Sequence, residues 1–300
     1  MKPVVYIHTS DKQMLAARVS EYSLRSRSKN PDNFDVRFLR LETTPYLYRL
    51  EGQRFRWAGR VCVWRNVDLQ SFAPLRLKVP EEMGFEGRAL LIDPDVFAVD
   101  DINDLLTRDM HGKAILSRRR PDRLYSTAVM LLDCARLRHW RWKETIDAVF
   151  AMKVDLYQLY GLAYEDADTI GLYEDEWNHL DTLNEHTKLL HTTERLTQPW
   201  KTGLPIDFDL TIVGSYPYQA GVRVSLQTLL KQRLAWWTAA QIRTYKPHPD
   251  PKQESYFYAL LGEAIEQGAI SEAFVAEEIR RKHVRPDSLE LVGKARRARA

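Results

Sequence analysis

The fold is decided by the stretch ALLIDPDVF, residues 89–97. Its first four residues form an apolar run that is too short for a helix and is typical of a buried central strand. Asp93 and Asp95 follow where this strand ends, at the edge of an open α/β sheet where ligands bind. Two carboxylates separated by a proline with a fixed φ can hold a divalent cation and, through it, a diphosphate. This arrangement suggests an enzyme that binds a nucleotide sugar.

The same Asp-Pro-Asp sequence also occurs in ordinary turns, because Asp caps helices and Pro sets the first dihedral angle of a turn. The residues that follow favour a site. Residues 99–106, VDDINDLL, combine an Asp-rich start with an apolar step, which predicts a short helix directly after the carboxylates. A strand that leads into acidic residues and then a helix is more typical of a ligand site than of a surface loop.

Composition describes a globular chain. Its 300 residues, 44% of them hydrophobic, allow one large α/β domain with an appendage or two modest domains. Cys62 and Cys134 each lie in an apolar segment, and we expect buried free thiols in a reducing compartment. Because the sequence has neither a long apolar span nor a leader over Met1–Ser10, we expect a cytoplasmic protein.

Charge is distributed unevenly along the chain. From Arg280 onward, eight basic residues stand against two acidic ones, a net charge of +6, whereas the whole chain carries +3. An acidic body with a basic tail argues against a nucleic-acid-binding domain, whose charge would spread over a docking face. Two interpretations of the tail remain open: peripheral contact with an anionic membrane, and a solvated, partly disordered terminus.

The order of elements predicts an α/β sheet flanked by helices. Strands are predicted at 4–7, 34–38, 60–63, 89–92, 114–116 and 128–132, and a helix at 14–24. Beyond Gly214 the pattern is helical, with predicted helices at 226–242, 255–268 and 270–282. We therefore expect a catalytic domain over residues 1–214 and a helical extension with the basic tail over residues 215–300.

Several segments, taken in order, resemble family-8 glycosyltransferases, the relatives of glycogenin and of lipopolysaccharide galactosyltransferases. They are collinear over about residues 1–203 and comprise 75–77 (LRL), 91–95 (LIDPD), 125–133 (YSTAVMLLD), 166–168 (DAD), 177–178 (WN) and 191–200. The resemblance implies the GT-A fold, with a mixed, mostly parallel central sheet. It also implies the metal-dependent transfer of a hexose from a nucleotide sugar, a UDP-sugar above all, to a glycan or lipid-linked acceptor, with retained anomeric configuration.

Site residues follow from the resemblance by position. The family's metal ligands correspond to Asp93, Asp95 and His191, a set that suits Mn²⁺ or Mg²⁺. Asp166, and after it Asp168, correspond to the catalytic segment that handles the donor sugar. The remaining donor-binding positions are His8, Thr9, Ser10, Asp11, Arg76, Pro94, Ser126, Thr127, Trp200 and Lys201, together with the two metal-binding aspartates.

Three positions depart from the family pattern. Ser126 stands where an amide usually handles the donor sugar, Ala167 replaces a glutamine, and Gln198 replaces the lysine expected to stabilise the leaving diphosphate. Arg195 or Lys201 could supply that charge from nearby. The departures keep a second hypothesis open, a degenerate relative that binds nucleotide or glycan without turnover. A phosphotransferase of the haloacid dehalogenase type fits less well, because the motif lies in mid-chain and is followed by Phe97.

Overall fold

A computed structural model describes residues 1–193, 196–208 and 244–299. The strands in these ranges are β1 (Val4–Thr9), β2 (Asp35–Arg40), β3 (Arg54–Trp57), β4 (Arg60–Val63), β5 (Arg88–Ile92), β6 (Val96–Ala98), β7 (Ile115–Ser117), β8 (Val129–Asp133), β9 (Ile170–Leu172), β10 (His179–Leu180) and β11 (Leu189–His191). The six strands that the sequence predicts are all present, because their apolar runs are local signals.

The helices follow the same ranges. They are α1 (Met14–Ser26), α2 (Pro45–Tyr48), α3 (Val79–Glu82), α4 (Asn103–Leu106), α5 (Trp142–Phe150), α6 (Leu156–Tyr160), α7 (Pro251–Glu266), α8 (Glu272–Arg280) and α9 (Ser288–Arg299). The predicted helix after the Asp-Pro-Asp stretch is α4, and the two predicted C-terminal helices are α7 and α8. The helix predicted over 226–242 and residue Arg195 lie outside the described residues.

The central sheet has six strands in the order β2-β1-β5-β8-β7-β9. Strand β8 runs antiparallel to β5 and β7, whereas β2, β1, β5, β7 and β9 all point the same way. The carboxyl ends of β1, β5 and β7 therefore meet at one edge of the sheet. The start of β9 lies at the opposite edge.

Apolar side chains cover both faces of this sheet, as expected for strands flanked by helices. Alternate residues of β5 join different cores: Ala89 and Leu91 pack on one side, and Leu90 and Ile92 on the other. The thiol of Cys134 is free and buried, and its burial and the nearby Asp133 carboxylate raise its pKa to about 12. Cys62 is also free but only half-buried.

The C-terminal helices pack directly on the α/β body. Helix α7 contributes Phe257 to a third core that also contains Leu15 of α1, Phe97 of β6 and Trp200. The expected boundary between residues 214 and 215 lies outside the described residues, so the division at that point stays a prediction.

The basic tail is helical up to Arg299 rather than disordered. Most of its described cations have acidic partners within the protein, for example Arg285 with Glu254 at 2.6 Å and Arg296 with Glu266 at 2.9 Å. These ion pairs reduce the charge available for an anionic membrane, and membrane contact stays a prediction. Among the described helices, none is both long and apolar enough to span a bilayer.

Candidate metal centre and cavity

The two carboxylates stand at the junction of two strands. Strand β5 ends at Ile92, and the Asp93 N–H donates to the Ala128 carbonyl (2.8 Å), which continues the ladder with the neighbouring strand by one residue. The next strand, β6, starts at Val96. Asp93 and Asp95 therefore occupy a short, fixed connection between two buried strands.

A second, smaller sheet brings a histidine to these carboxylates. Strand β11 pairs antiparallel with β6, with His191 opposite Val96, and the Thr192 N–H donates to the Asp95 carbonyl at 3.0 Å. His191 Nε2 lies 3.4 Å from Asp95 Oδ1 and 3.9 Å from Asp93 Oδ2. Residues almost one hundred positions apart in sequence thus form one cluster.

The cluster fits a divalent cation. One ligand atom from each of Asp93, Asp95 and His191 lies within 4.8 Å of the others. In the neutral imidazole, Nδ1–H donates to Asn178 Oδ1 at 2.8 Å, which leaves the Nε2 lone pair facing the carboxylates. Asp95 Oδ1 is buried and makes no hydrogen bond. Carboxylate oxygens with one imidazole nitrogen form a donor set that suits Mn²⁺.

Asp93 is held ionised by its neighbours. Arg76 Nη2 lies 3.2 Å from Asp93 Oδ1, and His8 Nε2 lies 3.1 Å from the same oxygen. Burial alone would raise the pKa of Asp93, but the charges of Arg76, His8 and His191 outweigh it and keep the pKa well below its usual value. Burial lowers the pKa of His8, so this imidazole is neutral near pH 7.

His191 responds in the opposite direction. Burial alone would lower its pKa, but the hydrogen bond and charge of Asp95, with the charge of Asp93, raise it above the usual value. A proton on Nε2 is therefore the alternative to a cation at this position, since both are stabilised by the same two carboxylates.

A cavity of about 480 Å³ opens beside the cluster, a size typical of small-molecule sites. Asp93 and Asp95 supply the only carboxylates among its described lining residues. Its other walls combine aromatic and basic side chains, namely Trp57, Phe72, Tyr157, Tyr160, Arg76, Arg118, Arg119 and Arg120. The cavity is therefore suited to a ligand that is both cyclic and anionic.

Several residues expected at the site do meet there. Arg76, Pro94, Ser126 and Thr127 line the cavity with the metal-ligand cluster. Their side chains also support one another: Arg76 Nη1 donates to Thr127 Oγ1 at 2.7 Å, and Asn178 Nδ2 donates to Ser126 Oγ at 3.2 Å. Ser126 thus supports Asn178, the residue that orients His191.

The expected nucleotide-binding segment lies mostly behind the wall. His8, Thr9 and Ser10 are buried and do not line the cavity, although His8 reaches Asp93. The Asp11 carboxylate is paired with Arg40 at 2.6 Å and with Arg281 of the C-terminal region at 2.9 Å. This segment anchors the site instead of facing the cavity.

Trp200 and Lys201 are also buried away from the cavity. Trp200 packs between Phe97 and Phe257, and Lys201 Nζ is paired with Asp207 at 3.1 Å. Because Lys201 already has this buried partner, it does not supply the missing cation of the family pattern.

The catalytic assignment of Asp166 and Asp168 is corrected by the topology. Both residues immediately precede β9, whose start lies at the sheet edge opposite Asp93, and neither lines the cavity. The Asp166 side chain instead caps a short turn by accepting from the Asp168 N–H at 3.0 Å. This is the capping role that is common for an aspartate before a turn or helix.

Sequence reasoning missed several residues of the site. Arg118, Arg119 and Arg120 look like an ordinary solvated charge run, and Tyr160 and Asn178 belong to no motif quoted above. Tyr160 lies under the Arg76 guanidinium at 4.8 Å, and its buried hydroxyl has no hydrogen-bond partner among the described residues. The position of Arg118–Arg120 directly after the predicted strand at 114–116 was the available signal, since that strand ends at the ligand-binding edge.

Comparison with solved structures tests the fold. The chain superposes on the apo form of the glycosyltransferase GlyE from Streptococcus pneumoniae TIGR4 with a TM-score of 0.50 and 13% identity over 90% of its length. The chain has the GT-A glycosyltransferase fold. It spans 64% of the GlyE chain. This likeness confirms the predicted fold and agrees, at the level of the fold, with the resemblance to family-8 glycosyltransferases.

Other solved structures are less similar. A second GlyE structure superposes with a TM-score of 0.49 and 14% identity, covering 90% of this chain and 64% of that one. The galactosyltransferase LgtC in complex with donor and acceptor sugar analogs gives 0.45 and 12% identity, covering 76% of this chain and 99% of that one. No protein-family model matches the sequence, and no curated protein matches it significantly.

Proposed function

We propose that this chain is a glycosyltransferase that moves a hexose from a nucleotide sugar to a glycan or lipid-linked acceptor. The observation that carries the proposal is the cluster of Asp93, Asp95 and His191 at the carboxyl end of β5, in a chain with a glycosyltransferase fold. The donor is a UDP-hexose and the metal is Mn²⁺ or Mg²⁺. The donor set supports the metal, and the resemblance of the sequence to family-8 enzymes supports the donor.

The residues of the site divide the work. When bound, a divalent cation would neutralise the diphosphate and stabilise the charge that develops on it as the glycosidic bond breaks. Asp93, Asp95 and His191 would hold that cation, and Asn178 keeps His191 Nε2 turned towards it. Arg76 fixes Asp93 in its ionised form, and its own orientation is set by Thr127. The aromatic walls offer flat surfaces for sugar rings.

Retention of anomeric configuration is the stereochemical part of the proposal. A double displacement would need a carboxylate beside the anomeric carbon to form a covalent intermediate. Among the described lining residues, the carboxylates of Asp93 and Asp95 are the only candidates, and both belong to the metal cluster. The composition of the cavity therefore favours attack by the acceptor on the same face from which the diphosphate leaves.

The same observation supports a second candidate, a protein that binds nucleotide or glycan without turnover. With Asp166 and Asp168 at the other edge of the sheet, no further carboxylate among the described residues is available to handle the donor sugar. This candidate keeps the cavity and the metal cluster and gives up only the transfer.

Thermal unfolding with ligands tests the site. We expect UDP with Mn²⁺ to raise the melting temperature of the wild type, because a ligand that binds only the folded state stabilises it. UDP without metal should have a smaller effect. Asp95→Asn should lose the metal-dependent part, whereas Asp104→Asn, an exposed aspartate on α4 outside the cavity, should keep it.

Turnover separates the two candidates. A panel of nucleotide sugars, incubated with Mn²⁺ and analysed by mass spectrometry for donor hydrolysis and transfer, should show one preferred donor. Stabilisation by UDP and Mn²⁺ without hydrolysis or transfer across a broad acceptor panel would establish the binding protein instead. Absence of any stabilisation by nucleotide would contradict both.

A further inference from the structure

Three consecutive arginines form one wall of the cavity. Arg118, Arg119 and Arg120 follow β7, whose carboxyl end lies at the same sheet edge as Asp93. Two of them are neutralised by aspartates. Arg118 Nε lies 3.0 Å from Asp175 Oδ1, and Arg120 Nη2 lies 2.7 Å from Asp122 Oδ2.

Arg119 differs from its two neighbours. Its guanidinium lies 4.8 Å from the centre of the Tyr125 ring, and its Nη1 donates to the Arg123 carbonyl at 2.9 Å. No carboxylate in residues 1–193, 196–208 and 244–299 forms an ion pair with it. The side chain is thus held in place by an aromatic ring and one hydrogen bond, while its charge stays unmatched and exposed at the cavity.

The other charges of the cavity are balanced without Arg119. Arg76 is paired with Asp93 at 3.2 Å, and a bound divalent cation would be shared between Asp93, Asp95 and the diphosphate of the donor. One fixed positive charge then remains. A guanidinium is well suited to a carboxylate or a phosphate, because its planar fork matches both.

Position separates this charge from the metal cluster. Strand β8 lies between β5 and β7, so the ends of these two strands are separated by about 10 Å, two strand spacings. That distance leaves room for a sugar ring between a diphosphate at the cluster and an anion at Arg119. The aromatic side chains of Trp57 and Tyr157 line the cavity as well, and Tyr157 stacks on Arg120.

We infer that the acceptor is a glycan with an anionic group, a phosphate or a sugar carboxylate, which Arg119 binds. The inference deepens the proposed sugar transfer and rests on it. Arg119 is fixed before the ligand arrives, so binding costs little conformational entropy. The same fixed geometry excludes neither anion, and the experiment distinguishes them.

Calorimetric binding of three matched probes tests the inference: p-nitrophenyl β-glucoside, the corresponding 6-phosphate and p-nitrophenyl β-glucuronide, each with and without UDP and Mg²⁺. We expect the wild type to bind at least one charged probe about tenfold tighter than the neutral one, the usual size of a charge-assisted hydrogen bond. Arg119→Met should abolish that difference and leave the neutral probe unchanged, and Arg119→Lys should keep part of it. Arg138→Met, a matched control at an exposed arginine outside the cavity, should behave as the wild type.

Two results would overturn the inference. One is equal affinity of the wild type for all three probes. The other is an Arg119→Met variant that loses UDP affinity and keeps its preference for charged glycosides, which would place Arg119 on the donor diphosphate. Failure of the proposed function is distinguishable, because it would appear as absence of UDP binding in wild type and variants alike, while the probes are also compared without nucleotide.

Discussion

The side-chain amide of Gln198 donates a hydrogen bond to Asp95 Oδ2 across 3.2 Å. Gln198 Oε1 in turn accepts from Gln13 Nε2 at 3.0 Å, and Gln13 Oε1 accepts from the Trp200 indole N–H at 3.0 Å. Gln13 and Trp200 are buried. This chain of hydrogen bonds orients a metal ligand from the aromatic core behind it, at the position where the family has a lysine.

We predict that Gln198→Leu weakens Mn²⁺ binding about tenfold, the lower end of what loss of a partner behind a metal ligand costs. Electron paramagnetic resonance titration of free Mn²⁺ measures the change. Gln70→Leu is the control, because Gln70 lines the same cavity without contacting the metal ligands. An equal loss in both variants, or none in Gln198→Leu, would show that the amide does not orient Asp95.

Two tyrosines that line the cavity should respond differently to loss of their hydroxyls. The Tyr160 hydroxyl is buried without a partner among the described residues, so Tyr160→Phe should not lower the free energy of unfolding. Tyr157→Phe should lower it by about 1 kcal/mol, because this hydroxyl bonds to Asp122 and Arg120. Urea unfolding measures both. If the Tyr160 hydroxyl contacts the ligand, Tyr160→Phe should also weaken UDP-sugar binding; a large loss of stability would refute the unpartnered hydroxyl.

Asp166 and Asp168 should be dispensable for ligand binding. Asp166→Ala is expected to cost about 1 kcal/mol of stability through its lost cap, and Asp168→Ala, at an exposed side chain, should cost less. Both variants should keep Mn²⁺-dependent stabilisation by UDP, measured by thermal unfolding beside Asp95→Asn. Loss of that stabilisation in either alanine variant would restore their assignment to the site.

The link between Asp11 and the C-terminal region should make stability depend on pH. Partial burial raises the pKa of Asp11, but hydrogen bonds from Arg281 and Arg40 outweigh it and lower the pKa below its usual value. A carboxylate with a lowered folded-state pKa stabilises the protein at neutral pH, and that contribution is lost as pH falls through the folded-state pKa. Asp11→Asn should therefore cost up to about 1 kcal/mol at pH 7 and nothing in strong acid.

Melting temperatures of wild type and Asp11→Asn across a pH series check this sign. Asp104→Asn, at an exposed aspartate for which no ion pair occurs in the described part of the chain, should show no comparable trend. A difference between wild type and Asp11→Asn that grows towards acid would contradict the assignment.

Sequence predicts what is local and fails where the sheet topology decides. The apolar run before Asp93 specified β5, and the Asp-Pro-Asp stretch specified the connection after it, because both signals lie within a few residues. Asp166 failed because the direction of β9 sets which edge its carboxylate occupies, and that direction follows from strand pairing. Arg119 was missed because its unmatched charge becomes visible only when the partners of its neighbours are known.

The packing of Trp200 against Phe257 at 4.8 Å has a consequence for how the protein is made. A ribosome releases the chain from its N-terminus, so Asp93 and Asp95 emerge nearly one hundred residues before His191, and the aromatic support of β6 emerges later still, with α7. The nascent chain therefore carries two of the three ligands without their partner for much of its synthesis. Metal capture is expected to be among the last steps by which the newly made protein matures.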